Sequence, residues 1–223
     1  MSIPFTDEER RAVYRAIYER RDVRAQFLPD AVPDEVLERV LNAAHHAPSV
    51  GFMQPWDFMV IRERSTRQAV YENFECASRR AAEAYQAERR KRYDSMKLAG
   101  ILDAPVNVCI TCDQNRAKGS GLGRQTDPAV ALYSTVCAVQ NFWLAARAES
   151  LGVGWVSILD FEQLHSTLGI PAGLTIVAYL CVGYVSEFRP QPDLEENGWE
   201  TRGTLASVTH FERWGVHKKE SPE

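Results

Sequence analysis

A domain of interleaved helices and strands is what this chain predicts, and three observations predict it. Segments with apolar residues at helical spacing alternate with short runs of β-favouring residues. The 223 residues are enough to bury one substantial core, so a single domain over 1–223 is expected. Neither an internal repeat nor a low-complexity stretch divides them.

Thr6-Asp-Glu-Glu9 is a capping-box signature that opens a helix reaching about Glu19, with Val13 and Ile17 on one face. A second helix starts at Pro33, a residue tolerated in the first turn, and carries Val36, Leu37, Val40, Leu41 and Ala44 at helical spacing. It stops at Ala47-Pro48. The loop Ser49-Val-Gly-Phe-Met-Gln54-Pro55-Trp56 then leads into a strand through Phe58–Ile61. Residues 66 to about 98 predict helix in two pieces. From Arg79 to Lys97 seven basic residues stand against three acidic ones, with only Tyr85 and Tyr93 as aromatic platforms. That pattern predicts a solvated helical face rather than a nucleic-acid surface, and a lid-like segment over about 79–100.

A strand over Pro105–Cys112 follows. Gly119-Ser-Gly-Leu-Gly123 comes six residues after it with G-x-G-x-G spacing, which predicts a flexible loop rather than the tight dinucleotide-binding turn. Pro128 to about Ser150 is the clearest helix, small or apolar on most of its circumference and so expected to be central. A strand over Gly154–Ile158, a short helix capped by Asp160 and closed at Gly169, and a long strand from Leu174 to about Val185 complete the body. The tail, about 187–223, carries Trp199 and Trp214 and is too apolar to hang free. It is expected to wrap over a neighbouring surface, that of a second subunit included.

Composition excludes several classes. The net charge of −4 gives no electrostatic reason for nucleic acid. No apolar run approaches membrane-spanning length, and the start of the chain is acidic and lacks an apolar signal core, so a cytoplasmic location is expected. Five cysteines, with Cys109-Ile-Thr-Cys112 inside a strand-like run, fit reduced thiols better than a disulfide framework or a zinc site. His45 and His46 are adjacent and on a helix point about 100° apart, so they cannot chelate one metal. No metal is expected.

The most informative stretch is Arg20-Arg21-Asp22-Val23-Arg24. Guanidinium forks grip phosphate oxygens in pairs, so the cluster suits a phosphate monoester. Asp22 is then either a structural partner for the arginines or a base beside a bound phosphate.

In order and spacing these motifs resemble the nitroreductase-type flavoprotein family, over about residues 14 to 190. Arg20-Arg21-x-x-Arg24 resembles its phosphate-gripping start, and Ala47-Pro48-Ser49 with Gln54-Pro55-Trp56 resembles its flavin-ring loop. Leu151-Gly-Val-Gly154-Trp resembles its strand beside the ring. Within the family the chain is most similar to the flavin-destroying branch, the 5,6-dimethylbenzimidazole synthases of vitamin B12 biosynthesis. Asp22 replaces the usual serine of the arginine motif. Phe52-Met53 stands where an asparagine is common, the strand continues as Gly154-Trp155-Val156-Ser157, and Leu132–Trp143 is typical of the branch.

The resemblance implies an α+β, nitroreductase-like fold: a central, mainly antiparallel or mixed sheet flanked by helices, with an extended C-terminal tail. It implies a homodimer with reduced FMN at the subunit interface, where O2 consumes it to give dimethylbenzimidazole and erythrose 4-phosphate. Flavin is then a substrate, supplied by a separate flavin reductase. Oxidising the ribityl carbon attached to the ring, and then breaking a carbon–carbon bond, requires proton transfers between ring and phosphate. Asp22 is the expected base there, or a partner of the ribityl hydroxyls, kept ionised by the neighbouring arginines. Ser157 is expected to orient the peroxide or a proton-shuttling water. Arg20 and Arg24 are the expected phosphate ligands, with Arg21 joining them or pairing with an acid. Val23 lies within the same binding segment, Ser49 and Gln54 reach ribityl and ring atoms, and Arg189 adds a basic contact. The bulky Val50-Gly-Phe-Met turn would crowd out NAD(P)H. An NAD(P)H-dependent nitroreductase or flavin reductase, and a non-catalytic flavin carrier, remain as alternatives.

Overall fold

The computed structural model describes residues 3–217. The start of the chain, Met1-Ser2, and residues 218–223 of the expected tail lie outside the described residues. α1 (Asp7–Glu19) opens on the expected capping box: the Thr6 N–H donates to Glu9 Oε2 at 2.7 Å, and the Glu9 N–H to Thr6 Oγ1 at 3.3 Å. Along the chain follow α2 (Asp34–His45), β1 (Trp56–Ile61), α3 (Arg64–Ala82), α4 (Ala87–Ser95) and β2 (Val106–Cys112). Then come α5 (Val130–Ala148), β3 (Leu151–Val156), α6 (Phe161–Leu168), β4 (Thr175–Tyr184) and a short α7 (Asp193–Glu196).

Among the described residues four strands form one antiparallel sheet in the order β1-β2-β4-β3, the nitroreductase-like arrangement expected. β2 is buried along its whole length because it is central and helices cover both faces. Val106, Val108 and Ile110 face α2 and α5, packing with Val40, Ala138 and Phe142. Cys109 faces the other way, with Val70 of α3, Leu164 of α6 and Tyr179 of β4. Alternation along a strand with both faces covered produces the unbroken apolar run seen in the sequence.

A buried polar group fixes the turn before β2. The Arg67 guanidinium donates to the carbonyls of Ile101, Leu102 and Ala104. Asn107 Nδ2 donates to the Ile101 carbonyl at 3.3 Å, and Asn107 Oδ1 accepts the Tyr179 hydroxyl at 3.1 Å. A buried cation is tolerable when hydrogen-bonded in this way.

One expectation needs correction. β3 runs from Leu151 to Val156, not from Gly154 to Ile158, because Gly152 and Gly154 pair with Gly183 and Cys181 of β4 rather than breaking the strand. Ser157 therefore lies just beyond β3. In the C-terminal segment Trp199 packs against α4, and Trp214 is 90% exposed. All five cysteines are free; Cys109, Cys112 and Cys181 are buried, Cys76 and Cys137 exposed. Among the described residues no helix is long and apolar enough to cross a membrane, and no group of three or more metal-ligating side chains could hold an ion.

Candidate active site

The arginine segment lies along the outer edge of β3. α1 ends at Glu19, Arg20 is extended, and the Val23 N–H donates to the Val153 carbonyl at 3.0 Å, with Asp22 bridged to Val153 in parallel. Glycine makes the approach possible. A Cβ at position 154 would stand 2.1 Å from the Val23 carbonyl oxygen, and one at position 152 would stand 3.0 Å from Val23 Cγ2.

Asp22 is turned inward to the strand. Its Oδ1 accepts the Trp155 N–H at 2.9 Å, and its Oδ2 accepts Arg24 Nη2 at 2.6 Å. Burial pushes its carboxyl above the usual range, while the Arg24 charge, the Trp155 N–H and Arg20 pull the other way. The arginines favour the ionised form as expected, but burial outweighs them. A carboxyl raised in this way exchanges protons closer to neutral pH than an ordinary aspartate.

The three arginines have different tasks. Arg20 lays its guanidinium 4.8 Å from the centre of the Trp143 ring and, among the described residues, forms no ion pair. Arg24 pairs with Asp22, yet its Nε is buried and lacks a hydrogen-bond acceptor. One unpaired cation and one orphaned donor beside a single carboxylate suit an anion with several oxygens, so these residues fit a phosphate monoester. Arg21 turns its Nη atoms away: they donate to the carbonyls of Tyr18, Arg20 and Pro190 and tie α1 to the C-terminal segment, while its Nε, like that of Arg24, is buried without an acceptor. Arg189 is also engaged elsewhere, 2.7 Å from Glu196 and 3.7 Å from Asp193. Ser157 is exposed, two residues past the amide that holds Asp22.

The other group of expected residues lies on the loop entering β1. Ser49 Oγ accepts the Gln54 N–H at 3.0 Å, and the Val50 N–H donates to Ser134 Oγ on α5 at 3.1 Å. Gln54 has φ +49° and its Oε1 accepts from Lys118, whose ammonium lies 4.8 Å from the centre of the Phe52 ring. Arg116 clamps the loop by donating to the carbonyls of Gln54 and Trp56.

Lys118, Arg116 and the 119–123 turn were not singled out as site residues from the sequence. The glycine run expected to be a flexible loop interlocks with this one: a Cβ on Gly119 would stand 2.3 Å from the Gly51 carbonyl oxygen. The signal was the glycines themselves, which mark both close approaches.

Residues 17–184 match the nitroreductase family model. The chain is 41% identical to the 5,6-dimethylbenzimidazole synthase of Rhodospirillum rubrum, over 82% of this chain and 86% of that one. It is 38% identical to the enzyme of the same name from Rhodobacter capsulatus, over 88% and 94% of the two chains. Among solved structures, an iodotyrosine deiodinase bound to FMN and 3-iodo-L-tyrosine superposes with a TM-score of 0.71, at 20% identity over 92% and 99% of the chains. A BluB-like flavoprotein from Clostridium difficile superposes with a TM-score of 0.66, at 18% identity over 90% and 99%. At those identities the structural likeness concerns the fold. The sequence likeness is far closer, and by it the chain belongs to the nitroreductase family, grouped with its 5,6-dimethylbenzimidazole synthases.

Proposed function

We propose that this oxidoreductase is a 5,6-dimethylbenzimidazole synthase that takes reduced FMN as substrate and, with O2, fragments it to dimethylbenzimidazole and erythrose 4-phosphate. The observation that carries the reading is the Asp22 carboxyl, raised by burial and held by the Trp155 amide beside the phosphate-suited Arg20 and Arg24. The names of the relatives at 38% and 41% identity support it.

Reduced FMN supplies the electrons for oxygen reduction when bound. Arg20 and the Arg24 Nε bind its phosphate. Asp22, beside these arginines, would supply the carboxylate that takes up a proton and returns it during the reaction, the Trp155 N–H fixing its direction. Ser157 carries a hydroxyl to the same end of β3, placed to orient a water or an oxygen species.

The site needs two copies of the chain. The arginine segment is bridged to the outer edge of β3, whereas the Ser49–Gln54 loop enters β1 at the opposite edge, four strand spacings or about 19 Å away. The same loop is tied to Ser134 and Arg20 to Trp143, nine residues or about 13.5 Å apart on α5. Tyr133 and Val136 expose an apolar stripe on α5, and Val13, Tyr14, Ile17 and Tyr18 expose another on α1. A homodimer covers these stripes and brings the loop of one subunit to the arginine end of the other.

Mixing the protein with chemically reduced FMN in air and analysing the products by mass spectrometry tests this. Dimethylbenzimidazole is the expected product. Rapid NADPH oxidation without it would point to a nitroreductase, and recovery of intact FMN to a carrier. A separate reductase supplies the reduced flavin in this scheme.

A further inference from the structure

α4 meets the body through few contacts of its own. Nine residues are too few for a stable isolated helix, α4 is mostly polar, and Tyr93 is its buried residue. The Tyr93 hydroxyl meets Ser78 Oγ on α3 at 3.0 Å. Arg90 Nη1 donates to the Ala82 carbonyl at the end of α3 at 3.1 Å, and between these two contacts lies a cleft of about 500 Å3, lined by Tyr71, Phe74, Arg79, Tyr93 and Leu102 among others. A helix propped over a cleft needs an outside fastening.

The C-terminal segment provides one. The Trp199 ring stands edge-on to Tyr85, with centroids 5.2 Å apart and planes at 83°, and 6.5 Å from Tyr93. The Arg89 guanidinium lies 4.5 Å from the centre of the Trp199 ring, and Arg92 donates to the Gly198 carbonyl. So the tryptophan is gripped by two tyrosine-bearing turns and a cation.

The other end of that segment is fastened at the arginine cluster. Arg21 donates to the Pro190 carbonyl, and the Phe188 ring lies 4.0 Å from the Arg147 guanidinium. Between the two fastenings α7, the Arg189–Glu196 pair and the Trp199 N–H bond to the Leu194 carbonyl at 2.8 Å stiffen the chain. The stretch after α4 returns to the same place: a Cβ on Gly100 would stand 2.9 Å from the Arg24 carbonyl oxygen. Both ends of α4 are thus tied to the segment that carries Arg20 and Asp22.

We propose that Trp199 is a positioning residue for the reaction at Asp22: residues 188–199 form a strap, and Trp199 holds α4 shut over the bound flavin while oxygen reacts. This rests on the function proposed above. Trp199 acts through α4 and touches no substrate. With the strap released, water reaches the site and the reduced flavin passes two electrons and two protons to O2. Oxidised FMN and hydrogen peroxide leave in place of dimethylbenzimidazole.

Trp199→Ala and Trp199→Phe test the strap, read by hydrogen exchange with and without FMN and by product analysis. In W199A, amides over residues 83–97 should exchange at least tenfold faster, with β2 and β4 unchanged. The share of O2 recovered as peroxide should rise at least threefold, and FMN affinity should stay within threefold. W199F should restore both readouts to within threefold of the parent. Arg92→Gln, which removes the bond to the Gly198 carbonyl, should speed the same amides about threefold and serves if W199A does not fold. Unchanged exchange over 83–97, or an equal rise in β2 and β4, overturns the proposal. Absence of dimethylbenzimidazole from the parent protein overturns the function instead, and the exchange comparison still decides the strap.

Discussion

The Trp155 amide of β3 donates to Asp22 Oδ1 at 2.9 Å, so a main-chain group sets the direction of the carboxylate while Arg24 holds its second oxygen at 2.6 Å. Asparagine at position 22 keeps an acceptor for the amide and loses the proton chemistry. Asp22→Asn should bind FMN within threefold of the parent and lower dimethylbenzimidazole formation by about 100-fold or more. Flavin titration and product analysis measure the two separately.

The raised Asp22 pKa also has a stability consequence. The folded protein holds this proton more tightly than the unfolded chain, whose carboxyl titrates near about 3.9. Its stabilising contribution is therefore complete below that value and is lost as pH rises through the folded pKa. Urea midpoints across that acidic window should fall more steeply with pH in the parent than in Asp22→Asn.

Gly154→Ala places a methyl group against the Val23 carbonyl, where the gap is 2.1 Å. Backbone rather than a flexible side chain must move, at a cost of about 1–3 kcal/mol. The arginine segment should lift from β3, with FMN affinity falling along with the urea midpoint.

Arg20 and Arg21 are adjacent and should behave differently. Removing a charge-assisted bond in Arg20→Met costs about 1.5–3 kcal/mol, or roughly 10- to 150-fold in FMN affinity. Riboflavin, which has no phosphate, should bind both proteins alike. Arg21→Gln should leave the phosphate-dependent part of binding in place and loosen the strap, visible as faster exchange around Pro190.

Val136 is exposed on α5 amid the stripe assigned to the second subunit. Val136→Arg should yield a monomer by light scattering and lose FMN affinity with the dimer. A monomer that retains full affinity would remove the case for a shared site.

Much of this architecture was legible because it is local. Thr6 and Glu9 cap α1 across three residues, and Gly169, with φ +64°, closes α6 where a left-handed residue is needed. The central strand showed itself as an apolar run. What sequence spacing could not reveal is where one segment meets another. Sequence spacing starts β3 at Gly154, three residues late, because nothing nearby shows that Val23 crosses Gly152 and Gly154. The turn at Gly119 read as loose because its partner, Gly51, is remote in the chain. Arg21 and Arg20 are the same residue type, and it is the remote Pro190 carbonyl and the Trp143 ring that separate their tasks.

Arg67 addresses Ile101, Leu102 and Ala104 solely through main-chain carbonyls. Those bonds use none of the turn's side chains, so replacing Leu102, which is only partly buried, leaves all three acceptors in place. Variation is thereby admitted at the surface of the turn, a freedom that depends on the Arg67 guanidinium and the Asn107 amide rather than on the side chains they leave untouched.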